Sequence, residues 1–374
     1  FGFYRFWLTT DIRRFLWSHT KADQEGAEYT GTARELLFGF LFALAVLTPI
    51  YLFYFVIGVE AERWKAFASI PLGLLLVLFG QFALYRARRY RLTRTIWRGV
   101  RFWMDGSGWK YAFLSFGWLV LTVLTLGLLY PWRAAALERY KMRHTHYGSI
   151  QGSFEATGWQ FFKVGVWLWL IALLPIIGIL TSLVQIGSQG YIASLDLSRF
   201  SGLLWFSGLA FFLLPFLWPF FQAIEWRWWA RGVNIGGVRL TSKIRGGQLL
   251  GLYLKLLFAA FLMTIALSIV GGIVYAIAGT VLQSIYGISV STLMQIVISK
   301  YPFAGIVVAI ISYLIAGLAF GVIQRYFLQY RFWALIVSAL ELHNIHALDG
   351  AIAKGDLAGA LGEGLADGLD VGGF

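Results

Sequence analysis

The chain has 374 residues, of which 59% are apolar, 18% are aromatic and only 13% are charged, with a mean hydropathy of +0.70. Soluble domains are about 45–50% apolar and about 25% charged, so this composition excludes an ordinary water-soluble globule and indicates a membrane protein. The formal net charge is +13, and the absence of cysteine excludes disulfides, thiolate catalysis and cysteine-ligated metal centres.

Seven apolar stretches are long enough to cross a hydrocarbon core of about 30 Å, which needs about 20 helical residues. They lack the period-2 alternation of barrel strands, so the sequence predicts an all-α fold, a polytopic transmembrane helical bundle. Residues 1–348 form the predicted membrane domain. In chain order the predicted spans are 36–59, 67–85, 111–130, 160–186, 202–221, 248–282 and 303–323.

Two features of these spans bear on function. The span 248–282 is longer than the membrane is thick, so it must tilt, protrude or break, and Gly271-Gly272 is the expected place for a break. Three spans contain a proline, which predicts either a tolerated kink or a discontinuous helix at a substrate site. These prolines are Pro49, Pro175 and Pro215.

The polar connectors between the spans show an internal repeat of basic and aromatic residues. In the two strongest copies, which begin at Phe6 and Pro131, an arginine is followed five residues later by a His-Thr pair. Each copy is interpreted as a helix that continues into a basic, aromatic stub, followed by a Gly-containing turn and re-entry. The arginines at the corresponding position of four copies are Arg14, Arg98, Arg139 and Arg227.

These arginines have two interpretations. Trp and Tyr prefer the headgroup level and Arg lies beside lipid phosphates, so the connectors serve either as interfacial anchors or as a basic pocket for an anionic ligand or lipid headgroup. The start of the chain, 2–7, also matches the end of the predicted span 111–130. This match predicts that a further helix precedes residue 1.

The charge distribution bears on membrane orientation. The polar connectors hold 26 of the 31 Lys and Arg residues. By the positive-inside rule, this excess predicts that all of the connectors lie in the cytoplasm. However, a full crossing by 111–130 puts two connectors on opposite sides and leaves the orientation undetermined. A re-entrant segment broken at Gly127 avoids this conflict. The full crossing is preferred, because irregular backbone exposed to lipid is costly.

Residues 349–374 form an acidic, Gly-rich C-terminal tail with five acidic residues and one lysine. A solvated flexible tail is one interpretation. The alternative is a segment that docks onto the basic connectors, because leucines recur every four residues. These leucines are Leu357, Leu361, Leu365 and Leu369.

The search for chemistry gives few candidates. Lys255 lies well inside a span without a partnering acid, so it is interpreted as snorkelling rather than as part of a proton relay. His343 and His346, beside Glu341, come nearest to a metal cluster, but no metal site is predicted. The sequence has no P-loop, dinucleotide fingerprint or nucleophile elbow, so no catalytic residue or cofactor is predicted. The basic residues flank spans, so membrane lipids, through anionic headgroups, are expected as partners rather than nucleic acid.

Three runs of the sequence resemble the YjgN-like family of bacterial inner-membrane proteins, which carries only a domain-of-unknown-function label. The runs are LTVLTLGLLYPWRAAALERYKMR (121–143), YRARRYRLTRTIWRGVRF (85–102) and GTARELLFGFL (31–41). The resemblance implies a multi-pass protein of the Gram-negative inner membrane, with no established activity, cofactor or catalytic residue. It also implies a membrane-associated zinc metalloprotease as a possible partner.

Two functions are therefore carried forward. The first is a non-enzymatic channel-like or transporter-like protein that binds an anionic solute or lipid headgroup. The alternative is an accessory or scaffold subunit of a membrane complex, or a protein that organises lipid. A membrane enzyme is disfavoured, because partnered acids and histidines are scarce and cysteine is absent.

Overall fold

The computed structural model describes residues 2, 4–64, 69–188, 197–300 and 302–369. The start of the predicted span 67–85 and the last part of the predicted tail, 370–374, lie outside the described residues. Residues Arg325–Arg331 form a π-helical turn. The helices are α1 (Arg5–His19), α2 (Ala33–Trp64), α3 (Ser69–Thr93), α4 (Gly108–Leu124), α5 (Tyr130–Arg143), α6 (Gly158–Ser188), α7 (Leu197–Gly232), α8 (Gly246–Tyr286), α9 (Val290–Lys300), α10 (Pro302–Gln324), α11 (Phe332–Ala339) and α12 (Leu361–Gly368).

The expectation of an all-α fold is wrong, because short strands follow several of the helices. β1 and β2 form a small hairpin, and the other strands form one antiparallel eight-stranded sheet in the order β10-β9-β8-β7-β6-β5-β4-β3. The strands are β1 (Lys21–Ala22), β2 (Glu25–Gly26), β3 (Glu28–Tyr29), β4 (Thr95–Trp97), β5 (Val100–Met104), β6 (Thr145–Tyr147), β7 (Ile150–Phe154), β8 (Val233–Ile235), β9 (Val238–Ser242) and β10 (Leu340–His343).

Three hairpins of this sheet, β4–β5, β6–β7 and β8–β9, share one design. Each has a three-residue strand, a two-residue turn and a five-residue strand. The turn residues Arg98-Gly99 and Gly236-Gly237 all have positive φ, as in the two-residue turns that match the twist of a hairpin. β-Branched and aromatic residues fill the short first strands, which favours extended backbone. The connectors expected to be a helical stub and a turn therefore contain a β-hairpin as well.

Tight turns and helical excursions alternate along the sheet. After β3, β5, β7 and β9 the chain forms helices before it returns to the next strand, and we call these helical segments the helical excursions. A tight turn joins each of β4, β6 and β8 directly to the next strand. Successive antiparallel strands run in opposite directions, so alternate connections lie at opposite ends of the strands. All helical excursions therefore start and finish at the same end of the sheet, with the tight turns at the other end.

This connectivity corrects the expected full crossing of 111–130. α4 has 17 residues, and the backbone then turns at Leu126 and Gly127, both of which have positive φ. α5 brings the chain back to the sheet, where Asp105 N donates to His144 O at 3.0 Å. The two helices thus form a hairpin that returns to the side from which it started, which is the re-entrant alternative.

Four stretches of the described helices are long and apolar enough to cross a membrane. They correspond to four of the seven predicted spans, those at 36–59, 160–186, 248–282 and 303–323. The other predicted spans lie mainly in α3, α4 and α7. α4 is a shorter apolar helix, and α3 carries four arginines in its last eight residues. The four stretches are Ala33–Gly58, Gly158–Thr181, Gly246–Tyr286 and Gly305–Ala339.

The expected break at Gly271-Gly272 is wrong, because α8 continues through both glycines. The helices α2, α6 and α7 likewise continue through Pro49, Pro175 and Pro215, so they are not discontinuous there. The chain divides into two compact units. The first comprises 1–246 and 336–374 and holds the whole sheet, and the second comprises 247–335.

The apolar core of the first unit lies beside the sheet. Phe161 of α6 stacks on Trp228 of α7 with ring centroids 4.9 Å apart, and Phe154 of β7 meets the same indole edge-on. A second cluster forms where α12 lies between α2 and α3, with Leu365 and Ala366 fully buried. Of the two interpretations of the acidic tail, the structure therefore has the docked one for the residues it describes.

Candidate anion-binding layer

Arg98 lies in the turn between β4 and β5, at the end of the sheet opposite the helices. Its guanidinium pairs with three carboxylates, those of Asp23 at 2.6 Å, Glu25 at 3.1 Å and Asp349 at 2.9 Å. The same group lies 4.5 Å from the ring centre of Trp97. These contacts join the β1–β2 hairpin, the sheet and the C-terminal segment, so Arg98 holds three parts of the fold together.

Replacing Arg98 with Gln is expected to lower the thermal stability of the purified protein only slightly. The ion pairs are exposed, and exposed pairs are weak because water screens them. Added salt is expected to remove the difference between variant and wild type. Thermal unfolding in detergent at low and high ionic strength measures this. A large loss that persists at high salt would contradict the view that Arg98 acts through exposed ion pairs.

The prediction that Arg98 occupies the same repeat position as Arg139 and Arg227 is wrong. An arginine lies six residues before the first residue of each of the three hairpins. These equivalent arginines are Arg89, Arg139 and Arg227. Arg14 takes the same place in α1, because the Thr20 hydroxyl bonds Leu16 O as the Thr145 hydroxyl bonds Lys141 O. Sequence comparison shifted the third copy by nine residues because that copy contains several arginines.

The four predicted arginines do not form one site. Arg14 donates to Gly31 O at 3.1 Å, Arg227 donates to Ala223 O of its own helix at 3.2 Å, and Arg139 is exposed on α5. Lys255 is exposed on α8, in the second unit.

Side chains of α3, α5 and α7 come together around Glu138 of α5, next to the sheet. Arg88 of α3 contacts Met142 of α5, with its Nη2 3.5 Å from the sulfur. Glu138 of α5 accepts hydrogen bonds from Lys141 and from Trp229 Nε1 of α7. We name this region the basic layer. It consists of Arg88 and Arg89 of α3, Arg133, Glu138 and Lys141 of α5, and Glu225 of α7.

The two acids of the basic layer have different electrostatic environments. Burial opposes ionisation of Glu138, but the charges of Lys141 and Arg88 outweigh it and lower the pKa of this carboxyl. Burial raises the pKa of Glu225, and the hydrogen bond from Tyr130, 2.6 Å long, only partly offsets that effect. Glu138 is therefore a fixed anion, whereas Glu225 is shifted toward its neutral form. The layer keeps a net positive charge.

Several donors of the basic layer have no partner. The Nε atoms of Arg88, Arg89 and Arg133 are buried and make no hydrogen bond to any part of the chain that the structure describes. An unsatisfied buried donor costs about 1–3 kcal/mol, and a charged donor costs more. A phosphate group has several charged acceptor oxygens and suits guanidinium donors. The arrangement can therefore bind a phosphate-bearing anion.

Sequence reasoning missed Arg88, Arg89 and Arg133 as site residues. The available signal was the arginine-rich run at the end of α3, with four arginines between residues 86 and 91. That run lies in the segment 85–102, which carries part of the family resemblance. Arg133 lies in another such segment, 121–143. Only the fold identifies Arg88 as a neighbour of Glu138.

The histidines that came nearest to a metal cluster have other partners. His343 Nε2 lies 2.9 Å from the hydroxyl of Thr241, and His346 Nδ1 lies 3.3 Å from Asp349. Within the described ranges no three His, Asp or Glu side chains are grouped to hold a metal ion. Glu341 pairs with Lys243 across β9 and β10.

Comparison with known families gives one match over nearly all of the chain. A family model described as "Bacterial protein of unknown function (DUF898)" matches residues 1–368. No curated protein and no solved structure matches the chain.

Proposed function

The chain belongs to the DUF898 family of bacterial proteins of unknown function, which is the YjgN-like family, and we propose that it is a non-enzymatic membrane protein of the bacterial inner membrane that binds phosphate groups. The observation that carries the proposal is the set of buried arginine donors without partners in the basic layer. These donors lie where the helical excursions leave the sheet. The phosphate belongs either to an anionic lipid headgroup or to a soluble solute.

The connectivity of the sheet supports a cytoplasmic position for the basic layer. Each helical excursion starts and finishes at the same end of the sheet, so the whole sheet lies on one side of the membrane. The connectors that flank the strands hold 26 of the 31 Lys and Arg residues. The positive-inside rule then places the sheet in the cytoplasm, facing the leaflet surface that carries anionic lipids.

The geometry favours binding over conduction, which was the first hypothesis from the sequence. A polar path through a bundle needs ionisable or polar side chains at membrane depth. The described part of the four apolar stretches holds few charged residues, namely Arg34, Glu35 and Lys163 near one end of their stretches, the exposed Lys255, and Arg325 and Arg331 in the second half of the last stretch. The converging charges lie next to the sheet instead. Headgroup binding at the membrane surface fits this distribution.

Replacing Arg88, Arg89 and Arg133 together with Gln is expected to reduce binding of anionic phospholipid about tenfold. Each charge-assisted hydrogen bond to a phosphate contributes about 1.5–3 kcal/mol, so the loss of even one is measurable. The measurement is the number of phosphatidylglycerol molecules retained by the purified protein in native mass spectrometry, titrated against lipid concentration. Gln keeps most of the side-chain volume and removes the charge.

Arg143→Gln is the matched control, because Arg143 is exposed at the end of α5 and its side chain makes no hydrogen bond or ion pair in the described chain. It is expected to bind as wild type does. A second arm of the experiment adds inorganic phosphate in excess to the protein with its bound lipid. If phosphate alone displaces the lipid, the natural ligand is a soluble anion. Equal lipid retention by the triple variant and the control would refute the proposal.

A further inference from the structure

The short helix α12 separates α2 from α3, although these two helices are consecutive in the chain. Ala43 of α2 and Ala83 and Ala87 of α3 face α12 and are completely buried. Gly364 of α12 lies on the backbone of Gly39, so closely that a side-chain carbon at position 364 would overlap it. Without α12, the surfaces of α2 and α3 that face each other would enclose a narrow apolar slot.

Arginines surround this slot, and α12 supplies the acids that meet them. Glu363 pairs with Arg13 of α1 and lies 3.6 Å from Nε of Arg91. The side chains of Arg13 and Glu363 are only 6% and 10% exposed. Nearer the outer end, Asp367 pairs with Arg5, and both side chains are more than a third exposed. The slot by itself is therefore apolar along its length and strongly cationic along one side.

The carboxylate of Glu363 is only partly hydrogen-bonded. Its Oε2 atom is buried and accepts no hydrogen bond from the described residues. Two guanidinium groups, those of Arg13 and Arg91, face this carboxylate. Burial of charge is costly unless the partners are complete. A phosphate, with more charge and more acceptor oxygens than a carboxylate, matches Arg13 and Arg91 better.

α12 is also a weak occupant of the slot. Three of its eight residues are Gly, and each Gly in a helix costs about 0.8–1 kcal/mol relative to Ala. The strap that leads to it, 349–360, is mostly exposed. Few hydrogen bonds hold the strap, among them Ile352 N to Ser149 Oγ at 3.2 Å and Ala358 N to Thr93 Oγ1 at 3.3 Å. Such a segment loses its helix when it leaves the slot.

We propose that the slot between α2 and α3 binds an anionic phospholipid and that α12 is its tethered occupant, which leaves when the lipid enters. The lipid phosphate takes the place of Glu363 between Arg13 and Arg91, and an acyl chain lies along the alanines. The matching features are the charge of the arginines and the apolar length of the slot. This site uses arginines other than those of the basic layer.

Amide hydrogen exchange of the full chain in nanodiscs tests the proposal without a substitution. Amides of α12 are expected to exchange about tenfold faster in phosphatidylcholine nanodiscs that contain phosphatidylglycerol than in pure phosphatidylcholine, because the open state is populated. Unchanged or slower exchange would show that α12 is a permanent part of the core. The same acceleration by inorganic phosphate in neutral nanodiscs would overturn a lipid as the ligand.

Two variants separate this slot from the rest of the molecule. Glu363→Gln is expected to accelerate exchange of α12 already in neutral nanodiscs, since it removes the competing charge. Asp356→Asn makes the same change of charge in the exposed strap and is expected to leave exchange as in wild type. The triple Gln variant of the basic layer is expected to keep the response to phosphatidylglycerol. Loss of the response there would assign the effect to the basic layer and refute a separate slot.

Discussion

Single cysteines introduced at Lys21 and at Ser149 are expected to lie on the same, cytoplasmic side of the membrane. The sequence contains no cysteine, so each variant carries one reactive thiol. Both positions are exposed, one beside the β1–β2 hairpin and the other in the turn between β6 and β7. A membrane-impermeant maleimide added to intact cells should leave both unlabelled, and should label both after the cells are opened.

Ser289→Cys provides the opposite reference. Ser289 follows α8, a single apolar helix of 41 residues that starts directly after the sheet, so it is expected to react from outside in intact cells. The contrast is all or none, which makes it the largest effect predicted for this protein. If α4 alone crossed the membrane, Lys21→Cys and Ser149→Cys would label from opposite sides. That labelling pattern would refute two claims, that the whole sheet lies on one side of the membrane and that the basic layer is cytoplasmic.

The long apolar helices were predictable because their signal is strong and local. The predicted span 36–59 corresponds to the stretch Ala33–Gly58, and 160–186 to Gly158–Thr181. A run of about 20 apolar residues has few folded alternatives, so composition and length suffice. The glycine pair of α8 misled the prediction of a break, since Gly is tolerated in membrane helices.

The sheet was not predictable in the same way. Its first strands have three residues each, such as Thr95–Trp97, and three residues show too little alternation to be recognised as a strand. The paired Gly236-Gly237 was the best local signal for a hairpin. The pairing of β5 with β6, which reverses the interpretation of 111–130, joins residues about 40 positions apart. Such pairing is a property of the whole fold.

The candidate site was likewise only partly predictable from the sequence. Arg139 and Arg227 each lie six residues before a hairpin, and the equivalence of Arg89 with them needed the hairpin register. Burial decides which arginine has unsatisfied donors, and burial depends on the packing of the whole fold. The sequence could predict basic charge beside the membrane. It could not predict that Arg88, Arg89 and Arg133 hold buried donors without partners.

Gly364→Ala is expected to release α12 and to destabilise the protein strongly for so small a change. A methyl group at this position would overlap the backbone of Gly39, which has no side chain that can move aside. Overpacking of this kind costs about 1–3 kcal/mol while α12 stays docked. If α12 leaves the slot, the overlap is relieved, and the loss of the burial of Leu365 costs about 1.5–3 kcal/mol instead. The measurements are thermal unfolding in detergent and the rate of tryptic cleavage after Lys354, in the strap.

Gly359→Ala is the matched control, because it makes the same chemical change five residues earlier, where nothing lies within 4 Å of the added carbon. It is expected to change stability by no more than about 0.5 kcal/mol and to leave cleavage after Lys354 slow. Cleavage is expected to rise in Gly364→Ala because the strap loses its anchor at α12. Equal melting and equal cleavage of the two variants would mean that α12 does not rest on Gly39. The slot between α2 and α3 would then have no occupant for a lipid to displace.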